Sequence, residues 1–139
     1  MKKYVVLLVF FLLIAAMPDS RGQCDARSYQ KSNITRFPSG FDYAHTFDVS
    51  DDEETMEQTH VLSKGKLYFI NVSNYRGEEK NIIVELYGPD GNLIATNYDN
   101  RSGLFWPIGY ACHQSGVHTL RFEFIKTDKK CGIAVLGER

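Results

Sequence analysis

The sequence predicts an all-β chain, an antiparallel sandwich of about seven to nine strands, and three observations carry that expectation. Large apolar residues alternate with polar ones at a period of two through much of the chain after Phe41. Turn-forming clusters divide those stretches at intervals of roughly 10 to 14 residues. Beyond the first 22 residues, no stretch offers a long amphipathic pattern of helical period.

The chain opens MKKYVVLLVFFLLIAAMPDSRG: two lysines, an unbroken apolar run from Tyr4 to Met17, then small and polar residues. This is the layout of a secretory signal peptide, and the run is shorter than the roughly 20 residues a spanning helix needs. Ser20 and Gly22 supply the small residues wanted three and one positions before the cut. Residues 1–22 are therefore read as the signal peptide, with the mature chain starting near Gln23. Ser20-Arg21-Gly22-Gln23 is too polar for the box that precedes a lipid-modified cysteine, which argues against lipidation of Cys24. No second apolar segment follows, so a soluble mature chain is expected, without a membrane span, either secreted or held in the periplasm or cell envelope.

The remaining residues, 23–139, are the size of a single domain with one core. The full chain carries 16 basic and 17 acidic residues; removing Lys2, Lys3, Arg21 and Asp19 leaves 13 against 16, a net charge of −3. With no basic stripe to meet phosphates, nucleic acid is not an expected partner.

Residues 23–40 show no clear period and form an irregular lead-in. In the first strand, Phe41, Tyr43, His45, Phe47 and Val49 alternate with Asp42, Ala44, Thr46 and Asp48, placing five large residues on one face. The same alternation runs through Tyr68, Ile70 and Val72, through Ile82, Val84 and Leu86, and through Leu120, Phe122 and Phe124. Between them lie Ser63-Lys64-Gly65, Tyr75-Arg76-Gly77, Gly88-Pro89-Asp90-Gly91, Asn100-Arg101-Ser102-Gly103 and Gln114-Ser115-Gly116. In each, glycine permits positive φ while proline or Asx residues set the bend.

The order YFINV, then IIVELYGPDGNLIATN, then IGYACHQSGVHTLRFEF resembles the jelly-roll-like sandwich of bacterial pre-peptidase C-terminal domains and of small secreted bacterial sandwich proteins. The likeness covers residues 41–137, and its motifs concern shape, so it implies a fold more than a function. It implies that His118, after the Ser-Gly corner, fills a packing slot commonly held by an aromatic residue. The pattern is also similar to the GOLD domain of secretory-pathway cargo receptors. Those continue into a coiled coil and a membrane anchor, which this sequence does not show by Arg139, so their cargo role is not expected.

The corner itself, Tyr110 to Phe124, places Cys112, His113 and His118 close together. A zinc site would need three or four ligands, yet His113 has the opposite strand parity to Cys112, and His45 and His60 have no evident partners. A packed corner is the expectation, with no metal and no cofactor. Catalytic signatures such as a nucleophile elbow or HExxH are absent, and the Cys-His juxtaposition lacks an orienting group. For the disulfide, Val117–Ile125 and Cys131–Leu136 flank KTDKK and read as a hairpin. That would separate Cys112 from Cys131 by roughly 25 to 30 Å, far beyond a bridge. Cys24 to Cys131 is then favoured over Cys24 to Cys112.

Asp51-Asp52-Glu53-Glu54, with Asp48 and Glu57, reads as a solvated acidic loop, with calcium as its functional alternative. Asp90, Asn92, Asp99 and Asn100 offer a weaker cation set. Asn33-Ile34-Thr35, Asn71-Val72-Ser73 and Asn100-Arg101-Ser102 fit the glycosylation triplet but read as chance matches. Tyr98, Asp99, Phe105 and Trp106 are the candidate ligand contacts: Phe105-Trp106-Pro107 with Tyr98, Tyr87 and Tyr75 read either as an exposed aromatic platform for a sugar ring or a partner or as core and cross-strand packing residues, and the loops around Asp99 and Trp106 are open to contact. The functional expectation is an exported, non-enzymatic binding or accessory module of the bacterial envelope, its partner an envelope protein or glycan. The alternatives are a small secreted hydrolase or metal-dependent enzyme, and a structural envelope component.

Overall fold

The alternation resolves into two stacked four-stranded antiparallel sheets. The computed structural model describes residues 24–50 and 55–139. The expected signal peptide and the acidic run Asp51-Asp52-Glu53-Glu54 lie outside the described residues. Ten strands are present among the described residues: β1 (Asp42–Val49), β2 (Thr55–Leu62), β3 (Leu67–Asn74), β4 (Ile82–Tyr87), β5 (Leu93–Thr96), β6 (Tyr98–Asp99), β7 (Leu104–Phe105), β8 (Ile108–Ala111), β9 (Gly116–Phe124) and β10 (Gly132–Glu138). The first sheet runs β1-β10-β3-β8 and the second β2-β9-β4-β5, while β6 and β7 form a separate two-stranded ribbon. Setting the ribbon aside, eight strands build the sandwich, and consecutive strands cross between sheets, except for the β4–β5 hairpin, in the order of a jelly roll.

The core lies between the inner faces. Tyr68, Ile70 and Val72 of β3, Ile82, Val84 and Leu86 of β4, and Leu120, Phe122 and Phe124 of β9 are all buried there. Phe47 of β1 faces Phe122 of β9 with ring centroids 6.1 Å apart, joining the two sheets. Each such side chain withdrawn from water contributes about 1.5–3 kcal/mol.

Two strand expectations need correction. In β1 the register shifts between Tyr43 and His45, and this bulge splits the five-residue face. Phe47 and Val49 enter the core, whereas Tyr43 remains 46% exposed and Phe41 packs on Phe69. One extra residue reverses side-chain parity, so Ala44 takes an inner position instead. The expected hairpin between β9 and β10 is also absent, because β9 pairs with β2 and β4 and β10 with β1 and β3. Residues 125–131 carry the chain from one sheet to the other. Cys112 and Cys131 are kept apart by this crossing: Cys112 is buried inside the sandwich and Cys131 belongs to a second cluster on the outer side of the first sheet.

That second cluster also corrects the lead-in, which is ordered and structural. A 3-10 turn (Ala26–Tyr29) runs into a short helix α1 (Gln30–Thr35). Ala26, Tyr29, Ile34 and Phe37 cover Ile133 and Val135 of β10. The strand GIAVL is apolar on both faces because both are covered. Cys24 and Cys131 form a disulfide with Cα atoms 5.5 Å apart, fastening this layer to the sandwich. Beneath α1, Asn33 accepts hydrogen bonds at Oδ1 from Ser73 (2.7 Å) and at its carbonyl from Asn71 Nδ2 (3.1 Å). The asparagines of two of the three glycosylation triplets are thus buried against each other.

Candidate functional site

Among the described residues nothing comparable covers the outer face of the second sheet, and at one end of it the β6–β7 ribbon raises a wall. Strand β5 ends at Thr96, opposite Glu85 of β4. The next residue, Asn97, is 4% exposed and lends its side chain to the sheet. Its Oδ1 accepts from the Val84 amide at 2.7 Å and its Nδ2 donates to the Ile82 carbonyl at 2.9 Å. Its backbone carbonyl accepts from the Trp106 amide at 2.9 Å. One buried asparagine therefore extends the ladder and fixes where the ribbon leaves and returns.

Within the ribbon, Tyr98 pairs with Phe105, their ring centroids 4.7 Å apart. The connecting turn is closed by Asp99, whose carboxylate accepts from the Arg101 amide (2.9 Å) and the Ser102 hydroxyl (2.8 Å). The Arg101 amide, with the Ser102 hydroxyl after it, holds this carboxyl below its usual range. Gly103 at φ +69 completes the bend.

Between ribbon and sheet lies a groove of about 520 Å³. Tyr98, Asp99, Asn100 and Trp106 line it from the ribbon side, and Ile83, Glu85, Thr96 and Glu123 from the sheet. Trp106 is 42% exposed. The Tyr87 hydroxyl donates to Glu85 at 2.7 Å, and Arg121 approaches the same carboxylate at 3.5 Å. The arrangement can stack a ring and accept hydrogen bonds around its edge.

Of the four residues expected to contact a ligand, Tyr98, Asp99 and Trp106 line the groove. Phe105 supports Tyr98 and lines a small recess with Asn71, Val72 and Pro107. Glu85 and Glu123 were not anticipated as groove residues, although outward parity on β4 and β9 could have marked them. Asn97 was not anticipated either; its signal is a single amide at the end of an apolar strand.

The histidines are closer to one another than expected. His45 and His60 stack with centroids 4.9 Å apart across the open edge between β1 and β2, and His60 lies opposite His118 in the β2–β9 register. The inward parity of β1 after its bulge brings this about. His118 is fully buried. Its Nδ1 donates to the Gly116 carbonyl at 3.0 Å, leaving Nε2 to face the Tyr110 hydroxyl at 3.5 Å. Burial, then neighbouring Cys112, pushes that hydroxyl up from its ordinary range. The Cys112 thiol donates to the Gln114 carbonyl at 3.2 Å, and His113 is exposed. His45, His60 and His118 thus follow one another from the open edge inward; among the described residues no three His, Cys, Asp or Glu side chains are placed to hold a metal ion. Asp90 and Asn92 bond to each other within their own turn.

A structural disulfide belongs to an oxidising compartment, so the protein is secreted or periplasmic. Among the described residues no helix is long and apolar enough to cross a membrane. No protein-family model and no curated protein matches the sequence. Among solved structures, the chain is similar to the crystal structure of Aeromonas hydrophila PliG, described as a periplasmic lysozyme inhibitor of g-type lysozyme. The two share 15% sequence identity at a TM-score of 0.49, covering 75% of this chain and 92% of that one.

Proposed function

We propose that the protein is an exported, non-enzymatic binding module that takes an envelope glycan in the groove beside Trp106. The observation that carries this reading is the exposed Trp106 ring, pinned through Asn97 and set beside Tyr98, Asn100, Glu85 and Glu123. The C–H face of a sugar stacks on an aromatic ring, while its hydroxyls donate to carboxylates and exchange hydrogen bonds with an amide. An envelope protein is the second reading. It is favoured by Val61 and Val117, cross-strand partners 65% and 54% exposed on the same outer face.

Trp106 is the single tryptophan, so its emission reports on the groove directly. Envelope polysaccharide fragments are expected to quench it saturably and to be recovered uncleaved, and Trp106→Ala is expected to abolish array binding while circular dichroism and melting stay unchanged. Binding that survives in Trp106→Ala, or cleavage of the recovered fragment, would overturn the proposal.

A further inference from the structure

A second cleft, of about 460 Å³, lies between the β3–β4 loop (residues 75–81) and the β9–β10 crossing (residues 125–131). Four cations line it, Arg76 and Lys80 from the first segment and Lys126 and Lys129 from the second, against two acids, Glu78 and Asp128. The lining therefore carries a net charge of +2, in a chain whose overall charge is −1. Among the described residues the ion pair inside the cleft is Lys80 with Glu78, at 3.2 Å. Two of the three remaining cations meet at one side chain. Arg76 and Lys129, from different loops, both approach one aromatic ring, that of Tyr75, at 5.2 and 4.5 Å.

The walls are built to stay in place. Asn74, 4% exposed, accepts at its Oδ1 from the amides of Arg76 (2.9 Å) and Glu78 (3.1 Å). Asn81 donates from Nδ2 to the carbonyls of Ile125 (3.1 Å) and Lys126 (3.3 Å), tying one wall to the other. Both Asn81 (φ +68) and Lys126 (φ +52) occupy the left-handed region that side chains other than glycine rarely adopt. Backbone held in that region has to be over-determined by its surroundings, and such residues cluster at binding sites. Here both of them border one cleft.

We infer that this cleft is an oxyanion site for a phosphate-bearing ligand, separate from the groove beside Trp106. Arg76 offers a planar fork that matches a phosphate, and Lys126 and Lys129 supply charge from the opposite wall. An anion seated between the two walls would balance the excess positive charge of the lining.

The test uses the oxidised mature chain, labelled with 15N, titrated with inorganic phosphate at constant ionic strength and separately with vesicles of phosphatidylcholine containing phosphatidylglycerol. Phosphate should shift amides confined to residues 75–81 and 125–130. The double variant Lys126→Gln, Lys129→Gln should weaken that response by about tenfold or more, the effect of losing a charge-assisted contact. Native Trp106 emission in the variant shows that the fold is retained; Arg76→Gln, on the other wall, provides an independent loss. Vesicle binding lost in the same variants identifies a lipid-borne phosphate, and a response to inorganic phosphate alone identifies a soluble source. Shifts scattered over the surface, or an undiminished response in both variants, would overturn the inference. Glycan binding at Trp106 is unaffected by either result, so the two sites fail or stand independently.

Discussion

Replacing Asn97 with alanine isolates the device that holds the groove together. Its side chain pairs two buried backbone groups, the Val84 amide and the Ile82 carbonyl, in the first half of the core strand β4. Alanine leaves both unpaired, at about 1–3 kcal/mol each, so the sandwich should lose about 2–6 kcal/mol, a large share of a domain's stability. With a urea dependence near 1.5 kcal/mol per molar, the unfolding midpoint should fall by about 1–4 M. The native emission of Trp106 should shift to the red before any unfolding, because the strand that fixes its amide has lost its anchor. Asn97→Asp sharpens the test. The carboxylate still accepts from Val84 but opposes the Ile82 carbonyl, so the loss should match that of alanine at neutral pH and diminish in acid, where a protonated carboxyl can donate. An alanine variant with an unchanged midpoint and an unchanged tryptophan spectrum would refute the assignment of Asn97 as the anchor.

The disulfide spans 107 residues, for which chain entropy gives about 4–5 kcal/mol; reductant should lower the melting temperature markedly, and an unshifted melt would show that the N-terminal layer holds without it. Cys112 is buried and free, so it should react with a thiol reagent only after unfolding, and native-state labelling would contradict its packing. Burial, then the neighbouring His45, lowers His60 from its ordinary value of 6.5, with Glu138 opposing. The unfolded chain therefore binds the proton first as pH falls. The stability that His60 contributes is full above about pH 6.5 and is lost as pH drops toward the folded value; His60→Gln should flatten the pH dependence measured by urea unfolding, and an identical profile would disprove the attribution. A Cβ at Gly132 would collide with the Ile82 side chain and lie 2.8 Å from the Ser73 carbonyl, so Gly132→Ala should destabilise by about 1–3 kcal/mol, and a neutral effect in thermal melts would mean that β3 and β10 can separate at that point.

The sandwich was legible where a single local rule governs. Tyr68, Ile70 and Val72, or Leu120, Phe122 and Phe124, alternate because each strand has one face inward, and glycine at the turns records the backbone geometry each turn needs. What escaped depends on residues distant in sequence. The bulge in β1 moves a pattern by one position without changing its composition. The crossing from β9 to β10 looks like a hairpin because sequence adjacency suggests pairing, whereas a jelly roll places those strands in opposite sheets. The lead-in reads as irregular because Ala26, Tyr29, Ile34 and Phe37 follow no strand period; they match the outer face of β10. In the groove, Tyr98, Asp99 and Trp106 stood out as aromatics and an acid in a turn-rich stretch. Asn97 did not, since an asparagine that imitates backbone looks like any other polar residue.

The placement of both clefts follows from how the two ends of the sandwich are closed. At one end the connections at 63–66, 88–92 and 112–115 are tight, with glycines such as Gly65 and Gly91 at positive φ, and they leave little chain for building a surface. At the other end the segments 75–81, 97–107 and 125–131 are longer, and loops of that length lose conformational entropy if they are ordered. Asparagine side chains order all three by bonding to backbone groups: Asn74 within the first, Asn97 at the start of the second, and Asn81 across to the third, whose far end is fixed by the disulfide at Cys131. Loops ordered before a ligand arrives impose less of that entropy loss on binding itself. Both clefts therefore sit where the fold has enough chain to shape and enough internal bonds to keep the shape, which is the end that carries Trp106 as well as Arg76, Lys126 and Lys129.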